Sequence, residues 1–141
     1  SVQYILETMN KRIKVLLDRD HCIGHAYFTP LIEEPSLELL MTIFEKRIIP
    51  LLQEYFFDDW TKINLVLGEN GMVHTMNLDS TLFLSMNPSE IEHLTKRNWD
   101  VYKYLFKNAP LEKKINALNQ IIRPKKDYKI PKPEITDEEA S

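Results

Sequence analysis

Hydrophobic residues recur at helical spacing along most of the chain. Val2, Ile5, Leu6, Met9, Ile13, Leu16 and Leu17 share one face over residues 2–17, with Glu7, Lys11, Arg12 and Lys14 opposite. The polar run DRDHCIG closes this helix, and we read Gly24 as permitting a backbone turn. The segment HAYFTPLIEEP, bounded by Pro30 and Pro35, reads as extended chain or loop. Ser36 is placed to cap a second helix lined by Leu37, Leu40, Met41, Phe44 and Ile48. Pro50 lacks an N–H, so a kink or break is expected near Ile49, with PLLQEYFFDD continuing as helix. Asp58 or Asp59 can cap WTKINLVLG, which Gly68 closes. Asn70-Gly71 is a turn signal, and INLVL and MVHTM could flank it as a small hairpin.

Asn87-Pro88-Ser89-Glu90 has the makings of a helix start, and the helix is expected to run to about Lys107. Ile91, Leu94, Val101, Tyr102, Leu105 and Phe106 would face inward. Pro110 starts a last helix with Leu111, Ile115, Leu118 and Ile122 on one stripe. Residues 123–141 are rich in Pro, Lys and Glu and read as a flexible charged tail. The expected fold class is therefore all-α: a helical bundle over residues 1–122, with room for one small β-hairpin.

Composition narrows the function classes. The 141 residues carry a net charge of −3, which gives no overall electrostatic reason for strong nucleic-acid binding. Three glycines disfavour a turn-rich β-protein. One cysteine excludes an internal disulfide and points to a reducing, cytoplasmic setting. No apolar run approaches the roughly 20 residues of a membrane helix, and no signal peptide is visible. A start at Ser1 instead of Met reads as a processed chain or a piece of a longer protein.

Three clusters have candidate chemistry. His21, Cys22 and His25 form an H-C-x-x-H group, but zinc takes four ligands, and His74 and His93 stand alone. The plainer reading makes Cys22 a small packed residue. Cys22 with His21 or His25 as base, oriented by Asp18 or Asp20, would suit nucleophilic catalysis, but such neighbours are common in any charged loop. Glu54, Asp58 and Asp59 could bind metal or exchange protons. At a helix boundary, caps are the simpler account of the two aspartates. The aromatic set Tyr55, Phe56, Phe57 and Trp60 reads as core. The sequence contains no G-x-x-x-x-G-K-[ST] loop, G-x-S-x-G elbow or G-x-G-x-x-G, so no complete active site is legible.

Three pieces in order resemble the C-terminal region of McrB-type AAA+ proteins, the nucleotide-hydrolysing subunits of 5-methylcytosine-specific restriction enzymes. They are an N-x-R-I helix (Asn10, Arg12, Ile13); an R-D-x-x-I-G-H-x-[YF]-F segment (Arg19, Asp20, Ile23, Gly24, His25, Tyr27, Phe28); and an I-x-P-L-L-x-E-Y-[FW]-x-D-D segment from Ile48 to Asp59. Together they span residues 4–68. The resemblance implies a helical lid that covers GTP or ATP with Mg²⁺ bound by an upstream AAA+ core of the same protein. It also implies neighbouring ring subunits, a nuclease subunit, DNA contacted only indirectly, and no membrane. No catalytic residue and no metal ligand are expected in this chain, and alone it should not hydrolyse nucleotide.

Lids of this kind carry an arginine near a glycine-containing helix start. Here Gly24 and His25 fall at that place, with Arg19 the nearest cation, so these three are the candidate nucleotide-sensing residues. The competing reading of His25 is structural, its ring tying the loop to the helices that follow. Glu54, Tyr55, Asp58 and Asp59 are candidate subunit-interface residues. A rival function is a stand-alone helical interaction module, docking a partner through Tyr102-Lys103-Tyr104-Leu105-Phe106.

Overall fold

The computed structural model describes residues 1–134. Helix α1 (Val2–Leu16) buries Ile5, Leu6, Met9 and Ile13, as its pattern predicts. Helix α2 (Pro30–Glu33) is short and follows a 3₁₀ turn over His25–Phe28. The segment expected to be extended is thus helical; Pro30 sits at a first-turn position, where a missing N–H does no harm. Helix α3 (Leu37–Ile43) starts at Ser36, whose hydroxyl accepts from the Leu39 N–H at 3.0 Å. It runs through a π-helical turn, Phe44–Ile48, into helix α4 (Ile49–Tyr55). The wider turn answers Pro50: the Ile49 N–H donates to the Phe44 carbonyl, and Phe44, Ile48 and Ile49 all stay buried. Helix α5 (Trp60–Val66) is capped by Asp59 and closed by Gly68 at φ +71°. Phe57 departs from the expected aromatic core, being 90% exposed.

Strands β1 (Val73–Thr75) and β2 (Trp99–Val101) pair antiparallel, Val73 with Val101 and Thr75 with Trp99. The expected hairpin is therefore wrong in its partner, because INLVL lies in α5. Asn70-Gly71 is a buried junction. The Asn70 amide donates to the Ala117 carbonyl at 3.0 Å, and its oxygen accepts from the Met72 N–H. Between the strands the chain makes an excursion containing helix α6 (Pro88–Arg97), capped by Asn87 as expected. This helix ends ten residues earlier than the sequence suggests. Trp99–Val101 satisfies its backbone in β2, and Leu105 and Phe106 are buried from a separate helix, α7 (Lys103–Lys107).

Helix α8 (Leu111–Ile122) packs on α1 and α7, with Ala117, Leu118, Gln120 and Ile121 inward. Leu111 and Ile115, expected on its buried stripe, are exposed. The helix has apolar residues on more than one side, and contact with α1 selects the face.

The described part of the expected tail is held in place. The Lys125 N–H donates to Gln120 Oε1 at 3.1 Å, Tyr128 donates its hydroxyl to the Asn70 carbonyl at 2.7 Å, and Tyr102 donates to the Pro131 carbonyl at 2.8 Å. Packing thus continues past residue 122 as far as Pro131, which is buried. The rest of the expected tail, residues 135–141, lies outside the described residues. Among the described residues no helix is long and apolar enough to cross a membrane.

Candidate functional site, the loop between α1 and α2

The loop from Asp18 to Gly24 is fastened from three directions. Asn10, on α1, pairs with Ile23 as a strand would: its amide donates to the Ile23 carbonyl at 3.0 Å, and its oxygen accepts the Ile23 N–H at 2.7 Å. This pairing anchors the buried Ile23 side chain. Tyr55, at the end of α4, donates its hydroxyl to the Cys22 carbonyl at 2.7 Å and meets the His21 ring edge-on, centroids 4.9 Å apart. Burial pushes the Tyr55 phenol up, and the neighbouring Tyr27, Cys22 and Glu54 add to the shift. Within the loop, Asp18 accepts from the backbone N–H groups of Asp20 (2.9 Å) and His21 (2.8 Å) and lies 2.8 Å from His21 Nδ1. The His21 side-chain bond, then the backbone bonds, hold the Asp18 carboxyl below its usual range.

Arg12, further along α1, braces that helix against the ends of two others. Its guanidinium donates to the Val66 carbonyl at 3.0 Å and to the Ile121 carbonyl at 2.6 Å. These carbonyls belong to the last turns of α5 and α8, where unpaired acceptors and the negative helix ends favour a cation. Burial lowers the Arg12 pKa, with Glu69 opposing the shift. All three residues of the N-x-R-I piece are therefore structural. Asn10 fastens the loop, Arg12 joins two helix ends, and Ile13 fills the core.

Gly24 and Arg19 are exposed, and Arg19 makes no hydrogen bond or ion pair among the described residues. Gly24 has ordinary extended angles, φ −77° and ψ 156°, and open space where a Cβ would stand, so the expected turn does not require glycine. His25 also forms no hydrogen bond among the described residues, so its ring does not tie the loop to the following helices. It lines an apolar groove of about 620 Å³ with Val2, Leu6, Phe28, Leu31 and Leu37. Cys22 is exposed as well, contrary to the packed position expected of it. Among the described residues no three His, Cys, Asp or Glu side chains converge as metal ligands would.

The remaining candidates lie at the α4–α5 junction. Glu54 is exposed. Asp59 caps α5, accepting from the Lys62 N–H at 3.3 Å. Asp58 does not cap; it takes a left-handed backbone, φ +60°, and accepts from the Gln53 amide at 3.1 Å. Phe57 precedes it at φ +50°, in the position that ends a helix and normally holds glycine.

The three sequence pieces thus meet around one loop, through Asn10–Ile23 and Tyr55–Cys22. The same region matches one protein family, described as the McrB alpha-helical lid domain, over residues 1–64. The match supports a McrB-type lid region over residues 1–64. No curated protein and no solved structure gives a significant match. The lid match ends within α5. The excursion, the two strands, α7 and α8 follow it, and Arg12 ties the lid's first helix to the last turn of α8. Sequence reasoning missed Asp18 and His21 as loop-holding residues. The D-x-x-H spacing was the available signal, since an aspartate accepting from the N–H groups two and three residues on is a common turn device.

Proposed function

We propose that this chain is the C-terminal helical part of a McrB-like AAA+ NTPase, closing over the nucleotide and contacting the neighbouring subunit of a ring. The observation that carries the reading is the fastened loop, whose bonds fix the backbone at and beside Arg19 and His25 while leaving both side chains exposed and without hydrogen-bond partners among the described residues. A lid that closes over phosphates gains most from polar groups positioned before closure. Arg19 would offer a guanidinium to a phosphate oxygen, and His25 a shorter polar contact beside the apolar groove. GTP or ATP would be held, with Mg²⁺, by the phosphate loop and acidic residues of the upstream core; this chain supplies none of the metal's ligands. Glu54, Tyr55, Asp58 and Asp59 would face the adjacent subunit. The assembled ring would drive a nuclease partner on DNA.

The test uses the full-length protein. Arg19→Ala and His25→Ala should raise the KM for GTP or ATP, or lower kcat, by at least about tenfold (roughly 1.4 kcal/mol), with unchanged circular dichroism. Wild-type kinetics in both variants would remove the nucleotide-sensing role. The 141-residue chain alone should not turn over GTP or ATP, and NTPase rates from it at the level of a complete enzyme would sink the lid reading.

A second reading, a stand-alone interaction module, draws on the excursion between β1 and β2. There Leu82, Phe83 and Leu84 stand exposed in succession, Leu84 completely so. The expected docking stretch, Tyr102 to Phe106, is not available: Leu105 and Phe106 are core, and the Tyr102 hydroxyl is bound to Pro131. The coding sequence upstream of Ser1 separates the two readings. A G-x-x-x-x-G-K-[ST] loop in frame supports the lid, and a start codon beside Ser1 supports the module.

A further inference from the structure

The chain is acidic overall, yet residues 112–132 carry seven lysines and arginines against two acids, Glu112 and Asp127. The fold gathers part of this excess into a groove of about 1100 Å³. Lys113 and Asn116 line it from α8 and Arg123 from the residue that ends it; Lys125 and Lys129 line it from the segment that follows. Asp127 is the single acid in its lining. None of the four cations makes an ion pair among the described residues. They are not spread along a loose tail either. The bond from Lys125 to Gln120 of α8, and those joining Tyr128 to Asn70 and Pro131 to Tyr102, fix the backbone that carries Lys125 and Lys129.

We propose that this groove binds the phosphodiester backbone of a nucleic acid directly, as a surface separate from the nucleotide-covering face. The dimensions suit it. Lys113, in the first turn of α8, and Arg123, the residue just past its end, are ten residues apart, a span of roughly 15 Å. A duplex strand presents one phosphate per roughly 3.4 Å of axis, so several phosphates fall within that length. The chemistry suits it too: lysine and arginine charges interleaved with Asn116 and Asn119 amides are groups that contact phosphate oxygens. No base-reading element accompanies them, so binding is independent of sequence. The overall charge of −3 conceals this site, because the compensating acids lie elsewhere in the chain.

The experiment is fluorescence anisotropy of a labelled duplex of about 30 bp titrated with the 141-residue chain at about 50 and about 200 mM NaCl. Non-specific backbone binding predicts a Kd of roughly 10⁻⁵ M near physiological salt. Four phosphate contacts predict a log–log salt slope near −3.6, so the affinity should fall about a hundredfold between the two salts. The quadruple variant Lys113→Gln, Arg123→Gln, Lys125→Gln, Lys129→Gln should abolish binding, and each single substitution should reduce the slope by about one. A control quadruple of equal charge, Lys46→Gln, Lys96→Gln, Lys103→Gln, Lys107→Gln, should bind as wild type. All of these changes are at exposed or half-buried positions, and circular dichroism checks that each variant is folded. No binding at low salt overturns the proposal. So does equal weakening by the control, which would mean diffuse charge, or equal binding of a polyglutamate peptide, which would make the groove an acidic-peptide site.

Discussion

Replacing Gly68 by alanine tests how rigidly the end of α5 is set against α8. Gly68 has φ +71°; its N–H donates to the Leu65 carbonyl at 3.1 Å, and the Glu69 N–H donates to the Asn64 carbonyl at 2.9 Å. A Cβ there would stand 2.7 Å from the Gln120 carbonyl oxygen and 2.9 Å from Ile121 Cα, both backbone atoms of α8, and 3.2 Å from Arg12 Nη1. The left-handed backbone costs an alanine about 1–2 kcal/mol. The loss of glycine's freedom in the unfolded chain returns about 0.4–1 kcal/mol. Crowding against a backbone that cannot rotate away adds about 1–3 kcal/mol. The net expectation is a destabilisation of about 2–4 kcal/mol, or a fall in Tm of roughly 7–14 °C for a domain of this size. Gly24→Ala is the matched control: its backbone angles suit any residue and no atom lies within 4 Å, so it should gain about 0.4–1 kcal/mol. Urea unfolding followed by circular dichroism measures both. A Gly68→Ala variant within about 1 kcal/mol of wild type would show that α8 can withdraw, refuting the rigid-approach argument. A Gly24→Ala loss of more than about 1 kcal/mol would mean the loop has another backbone conformation.

Phe57→Gly should stabilise the fold by about 0.5–1 kcal/mol, because an exposed ring is given up and left-handed strain is relieved; a lower urea midpoint would show that the ring packs. Arg12→Lys should destabilise by about 2 kcal/mol, since one ammonium cannot span the carbonyls of Val66 and Ile121 together; a loss under about 0.5 kcal/mol would contradict the bracing role. Asp18→Asn should lower Tm at neutral pH. The Asp18 pKa is depressed in the folded state, so its contribution is complete above the ordinary value of 3.8 and is lost as pH falls through the depressed one. The Tm gap between wild type and variant should therefore close in acid, and a gap that widens there would reverse the sign of the argument.

Features set by a few adjacent residues were legible from the sequence. Ser36, Asp59 and Asn87 cap the helices that follow them, since a side-chain oxygen and an N–H three residues on decide a cap alone. The face of α1 was legible because most of its apolar residues form one stripe, with only Tyr4 and Val15 left outside it and exposed. The three sequence pieces around the loop could be read in order, but not the bonds that join them. Asn10 to Ile23 and Tyr55 to Cys22 are pairings across 13 and 33 residues. Tertiary structure alone decided the rest. Strand β1 finds its partner beyond a whole helix, because the three residues Val73–Thr75 have no local pattern strong enough to choose one. Helix α8 presents apolar side chains on two sides, and contact with α1 and α7 determines which is buried. The segment after it reads as a solvated tail by composition, yet three bonds hold it: Gln120 Oε1 accepts the Lys125 N–H, the Asn70 carbonyl accepts the Tyr128 hydroxyl, and the Tyr102 hydroxyl donates to the Pro131 carbonyl, all partners that composition cannot reveal.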